Sequence, residues 1–135
     1  MEKLKEELPA KERDIWPFLA SIMGKRELEA FNMITTGQWK EWLPLFEKGL
    51  LDKARNQSLD SESLHQCLIA VSNRVATLPH APVAAYSTKQ GDVPVWIIVL
   101  MWEHDVRGTS TSMGHVQVFA FDSRNRKLLG SARCN

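Results

Sequence analysis

The longest apolar run of the chain covers residues 93–102, and it constrains the fold more than any other feature. A helix needs about 20 such residues to cross a bilayer, so this run is too short to span a membrane. Its Val, Ile and Trp content favours a β-strand. Pro94 lies near the start, where a strand tolerates proline. We therefore expect a long buried strand and no membrane association.

The strand pattern continues to the end of the chain. Turn residues at 90–92, a hydroxyl-rich loop at 105–112 and a tight turn at Arg124-Asn125 divide this half into short segments. Short connections join antiparallel neighbours. The sequence therefore predicts a four-stranded antiparallel meander with strands at 83–87, 93–103, 113–122 and 126–133.

The first 78 residues show helical spacing instead. Two short helices are expected at 14–24 and 28–37, and a third segment follows from Trp39 to Leu50. Pro44 within that segment predicts a kink, or a break at which a new helix starts. Asp60 is a good N-cap for a fourth helix, with Leu59 and Leu64 at the positions of a hydrophobic staple.

These patterns predict an α+β fold in one domain over residues 1–135. An N-terminal helical half, with about four short helices, precedes the four-stranded antiparallel β-meander. A length of 135 residues suits a single domain, and 44% hydrophobic residues can form its core without a metal or disulfide.

Symmetric closure of the two hairpins predicts the strand register. In the first hairpin, it places Trp102, Leu100, Ile98 and Trp96 opposite His115, Gln117, Phe119 and Phe121. In the second, it places Phe121, Phe119, Gln117 and His115 opposite Leu128, Gly130, Ala132 and Cys134.

This register makes both faces of the central strands apolar. An antiparallel sheet with one wet face would alternate apolar and polar residues. Both faces must therefore be covered, one by the helices and the other by more helix, a second subunit or a ligand. One face is aromatic, and small residues beside its large rings leave room for a recess.

The aromatic face is the predicted binding surface. Its Trp rings flank the only polar pair on that face, and apolar surfaces with a few convergent polar groups are common binding sites. The candidate ligand- or partner-binding residues are Trp96, Trp102, His115, Gln117 and Phe119. The competing interpretation is that the helices bury this face as core.

Motifs for catalysis or cofactor binding are absent from the sequence. It has no Gly-rich dinucleotide or phosphate loop, paired-cysteine zinc spacing, HExxH or nucleophile elbow. We therefore assign no catalytic residue, cofactor or metal, and whether the chain is an enzyme stays open. Weaker hypotheses are a thiolate at Cys134 activated by His115, and a metal site near Glu103, His104, Asp105 and His115. His65 and His80 are expected at the surface.

Charge and composition restrict the partners. The net charge of +1 gives no basic field for nucleic acid. The charged N-terminal residues do not resemble a signal peptide, so we expect a cytoplasmic protein with Cys67 and Cys134 as free thiols. The preferred hypothesis is a homo-oligomer or protein-binding module. The alternative is a small-molecule-binding or catalytic domain, whose helix-then-sheet architecture resembles nuclear-transport-factor-like cones or cystatins.

Overall fold

Two helices precede a four-stranded sheet in the computed structural model, which describes residues 39–75, 78–103 and 115–134. The elements are α1 (Trp39–Asn56), α2 (Ser61–Val75), β1 (His80–Gln90), β2 (Val93–Trp102), β3 (His115–Asp122) and β4 (Leu128–Cys134). All neighbouring strands are antiparallel, in the order β1-β2-β3-β4. The α+β class and the meander are confirmed. Instead of about four helices, the described residues contain two, and the predictions at 14–24 and 28–37 lie outside them.

The sequence predicted a kink or a break at Pro44; helix α1 continues through this residue, so the break is wrong. The helix lies along the edge strand β1. Its first half contributes Trp39 and Phe46 to one side of the sheet, and its second half contributes Leu50 and Ala54 to the other. Packing on both sides of Pro44 holds the helix together although proline disfavours a helix interior.

Helix α2 begins as the sequence predicts. The backbone N–H of Ser63 donates a 3.0 Å hydrogen bond to Oδ1 of Asp60, which satisfies a helix N–H that has no partner within the helix. Leu59 and Leu64 belong to the same apolar cluster, as expected for a hydrophobic staple. The buried stripe of α2 then continues through Cys67, Leu68, Val71 and Val75.

The sheet has two buried faces, as predicted. The aromatic face carries Trp96, Ile98, Leu100, Phe119 and Phe121, and the two helices pack against it. The opposite, aliphatic face carries Val95, Ile97, Val99, Met101, Val116, Val118 and Ala120. The described residues that pack beside the aliphatic face include Trp39, Phe46 and Ala132.

The register is correct for the β2–β3 hairpin and wrong for most of the β3–β4 hairpin. Trp102 pairs with His115 and Trp96 with Phe121, as expected. Phe121 also pairs with Leu128, but Ala120 then pairs with Gly130, which leaves Leu129 as an extra residue. This β-bulge shifts every later pair by one position. Symmetric closure could not reveal the bulge because it assumes equal spacing on both strands.

The shift changes the environment of the last residues. Gly130 opposes Ala120 instead of Phe119, Ala132 opposes Val118 instead of Gln117, and Cys134 opposes Val116 instead of His115. Ala132 consequently packs beside the aliphatic face. Strand β1 contains a second irregularity, between Pro82 and Ala84, and extends beyond the predicted 83–87 at both ends.

The Asp60 cap predicts a measurable loss of stability. Replacing Asp60 by Ala removes the side-chain acceptor for the Ser63 N–H and should lower the free energy of unfolding by about 1 kcal/mol. Asp60→Asn should retain most of the stability that the cap provides. The matched control is Asp52→Ala, which removes an exposed ion pair with Arg55 and should cost under about 0.5 kcal/mol. Equal losses in urea unfolding for Asp60→Ala and Asp52→Ala would contradict the capping role.

Candidate functional site

The five predicted site residues divide into a buried group and a partly exposed group. Trp96 and Phe119 are each 2% exposed and lie in the cluster between the sheet and the helices. They are core residues, as the competing interpretation expected, and the predicted open aromatic surface is not present at their positions. Trp102, His115 and Gln117 are intermediate in exposure and lie toward one end of β2 and β3.

At this end, an indole, an imidazole and a carboxylate meet. The His115 and Trp102 rings stack with centroids 4.6 Å apart and planes 23° apart. Nε2 of His115 lies 3.5 Å from Oε1 of Glu103, and these side chains are 25% and 14% exposed. Gln117 follows two residues after His115 and shares its face of the sheet. We call Trp102, Glu103, His115 and Gln117 the sheet-end cluster.

The sheet-end cluster is attached to the core through Trp102, and its side chains are partly exposed. Trp102 packs against the helix-covered cluster, so the ring that supports His115 is held by the core. Imidazole, carboxylate and carboxamide together provide both hydrogen-bond donors and acceptors. The arrangement can therefore bind a polar group beside an aromatic surface. The sequence indicated Glu103 only as a metal ligand. Its contact with His115 follows from the pairing of Trp102 with His115.

The register removes the basis of the thiolate hypothesis, whereas the metal hypothesis involves residues outside the described part of the chain. No group of three or more metal-ligating side chains occurs among the described residues, and His104 and Asp105 lie outside them. The thiolate hypothesis required Cys134 opposite His115, whereas Cys134 pairs with Val116.

His80 was expected at the surface, and this prediction is wrong because the side chain is 2% exposed. Nδ1 lies 2.7 Å from the carbonyl oxygen of Leu78, and Nε2 lies 3.2 Å from Oγ of Ser72 on α2. Its ring also contacts Trp39, with centroids 4.9 Å apart. The pairing of His80 with Trp102 could have indicated this, but β1 was predicted to begin at residue 83.

The hydrogen bonds of His80 define which ring nitrogen carries the proton in its neutral form. A carbonyl only accepts, so Nδ1 carries the proton and Nε2 accepts from the Ser72 hydroxyl. Burial lowers the pKa of His80, although the hydrogen bond to Leu78 acts in the opposite direction. The neutral ring of His80 thus joins β1 to α2 through the hydrogen bond with Ser72 and contacts α1 through the ring of Trp39.

Two grooves lie away from the sheet-end cluster. The larger, of about 630 Å³, follows the outer side of α1 and includes Pro44, Leu51 and His65. Burial raises the pKa of Glu47 there, and His65 opposes that rise. The smaller, of about 410 Å³, lies between Asp60 at the start of α2 and Arg126 in the β3–β4 turn. Both grooves have mixed charge along their walls.

Comparison with known proteins gives no further assignment: no protein-family model, curated protein or solved structure matches this chain. Among the described residues, no helix is long and apolar enough to cross a membrane.

The buried neutral His80 predicts a loss of stability in acid. Its folded-state pKa lies below the unfolded value of about 6.5, so the unfolded chain takes up the proton first as the pH falls. This contribution is complete above about pH 6.5 and is lost as the pH falls through that value towards the folded-state pKa.

We expect the free energy of unfolding to fall more steeply between about pH 7 and pH 5 in the native sequence than in His80→Asn. His65→Asn, at an exposed histidine of α2, should retain the steeper slope. Denaturant unfolding at both pH values measures the difference. The same slope in all three proteins would show that His80 does not cause the acid sensitivity.

Cys67 should be unreactive in the folded protein. It is a fully buried free cysteine, and burial raises the pKa of its thiol to about 12, with Arg126 opposing the rise. In a Cys134→Ser background, Ellman's reagent should react with Cys67 only after unfolding. Cys67→Ser should cost about 1–3 kcal/mol because it buries a hydroxyl. Rapid reaction in native buffer would show that this part of the core opens.

Proposed function

We propose that the chain is a homo-oligomeric interaction module and that its contact surface is the sheet-end cluster. The helices already cover Trp96 and Phe119 at the centre of the aromatic face. Among the described residues, one accessible part of that face is its end, where Trp102, His115 and Gln117 are intermediate in exposure. Aromatic side chains with a few polar neighbours often dominate the energy of protein interfaces.

The stack of His115 on Trp102 carries this proposal. A ring pair supported by the core has already lost much of its side-chain freedom, so less entropy is lost on binding. The carboxylate of Glu103 beside the imidazole adds a directional contact. A second copy of the chain can use the same donors and acceptors, because a twofold interface is made from one self-complementary surface.

A small-molecule-binding or catalytic domain of the cone-shaped type is the second candidate. The same imidazole–carboxylate pair favours it, since a ligand could exchange hydrogen bonds with both groups beside the indole. A simple measurement distinguishes the two candidate functions. A small ligand would raise the melting temperature at constant molecular mass, whereas self-association would change the mass with protein concentration.

Self-association can be tested by sedimentation equilibrium across micromolar concentrations. We expect a concentration-dependent mass above 15.4 kDa, with His115→Ala and Gln117→Ala weakening association by about tenfold, or 1.4 kcal/mol. Both variants should keep most of their stability because the side chains are partly exposed. Trp102→Ala is a poorer probe because Trp102 also packs against the core.

The matched control is Lys89→Ala. Lys89 is exposed and pairs with Pro94, at the opposite end of β1 and β2 from His80 and Trp102. Its replacement should leave association unchanged. A single species of 15.4 kDa at every concentration would overturn the proposal, as would equal weakening by Lys89→Ala and His115→Ala.

A further inference from the structure

Two side chains of the sheet-end cluster have the spacing of neighbouring metal ligands. Nε2 of His115 lies 3.5 Å from Oε1 of Glu103. A charge-assisted hydrogen bond between an imidazolium and a carboxylate is shorter, at about 2.7–2.9 Å. Zinc binds imidazole nitrogen and carboxylate oxygen at about 2.0–2.2 Å in a tetrahedral arrangement, which places neighbouring ligand atoms about 3.4 Å apart. The two atoms therefore have the separation that one zinc ion requires.

The surrounding structure supports both ligands. The ring of His115 stacks on Trp102, and Trp102 packs against the helix-covered cluster. The backbone N–H of Glu103 donates a 3.1 Å hydrogen bond to the carbonyl oxygen of Pro79, just before β1. Ligands that neighbouring residues hold in place bind a metal more tightly than ligands that must first be ordered. The pair is therefore prepared for a shared ion, and both side chains are partly exposed.

One copy of the chain supplies only half of a zinc site. Structural zinc ions usually have four protein ligands, and among the described residues no third metal-ligating side chain joins Glu103 and His115. A twofold interface places the same surface of both copies face to face. Self-association through the sheet-end cluster would therefore bring two such pairs together. Two imidazoles and two carboxylates form a ligand set that suits zinc.

Charge balance also favours a divalent cation at this position. In the twofold arrangement, the Glu103 carboxylates of the two copies approach each other and lose water. Bringing like charges out of water is unfavourable unless an opposite charge is near. Imidazoles that ligate a metal are neutral, so His115 does not supply that charge. One divalent cation balances both carboxylates and removes the repulsion that the interface creates.

We propose that Glu103 and His115 form half of an interfacial zinc site, which a second copy of the chain completes with the same two residues. This inference rests on the proposed self-association and names the ion that strengthens it. Magnesium and calcium do not replace zinc, because both ions prefer a shell of six or more oxygen ligands.

Sedimentation equilibrium near neutral pH tests the zinc site, first with a chelator, then with zinc chloride and then with magnesium chloride. A Cys134→Ser background excludes the thiolate of Cys134 as a zinc ligand. Free zinc at about ten times its dissociation constant from the dimer should strengthen association about tenfold. Magnesium should not change association. Calorimetric titration with zinc should give one ion for two chains.

The informative variant is Glu103→Gln, which keeps the size of the side chain and removes its charge. In chelator it should associate at least as strongly as the native sequence, because the two carboxylates no longer repel each other. With zinc it should gain no further association, and neither should His115→Ala. The matched control is His65→Asn, which removes the histidine near Glu47 and should retain the full effect of zinc. Urea unfolding of each variant separates a binding defect from a folding defect.

The outcomes separate the zinc site from the proposed self-association. Association of equal strength in chelator and in zinc would overturn the zinc site and leave self-association standing. One zinc ion per chain at constant mass would overturn its completion by a second copy. Equal loss of the zinc effect in His65→Asn and Glu103→Gln would show that zinc does not act through the sheet-end cluster. A single species of 15.4 kDa in both conditions would overturn both proposals.

Discussion

The burial of β2 on both sides is the constraint on which the rest of the structure depends. Every residue from Val95 to Met101 is at most 2% exposed, and each large apolar side chain buried in this way contributes about 1.5–3 kcal/mol. The two faces of one strand thus belong to two different apolar clusters. Helix α1 contributes to both clusters, and α2 provides the stripe that closes the aromatic face.

This packing decides where polar chemistry can occur. The centre of the aromatic face is filled by side chains from α2, so Trp96 and Phe119 serve as core. Polar groups remain at the ends and edges of the sheet. His80 is buried but finds two partners there, whereas His115 is partly exposed beside Glu103. His80 on β1 and His115 on β3 both pair with Trp102. Their different exposure therefore gives them different roles.

Local chemistry made several features predictable before the structure was known. Asp60 is followed by a periodic apolar stripe, and a short side chain at that position caps a helix by reaching nearby N–H groups. The β2–β3 register follows from symmetric closure of the hairpin, which is correct because the pairing of these two strands contains no extra residue. The predictions were wrong where a single residue interrupts a regular strand or helix pattern. Leu129 inserts into β4, and Pro44 is accommodated within α1.

The sequence alone determined the α+β class, the antiparallel order of the strands and the apolar character of both sheet faces. Each of these follows from residue periodicity and turn chemistry, which act over a few neighbouring positions. Tertiary structure decided which side chains on the aromatic face stay accessible. That outcome depends on where α1 and α2 lie across the sheet, a contact between residues distant in the chain. Periodicity places Trp96 and Trp102 on one face of the sheet, but only packing leaves Trp96 buried and Trp102 partly exposed.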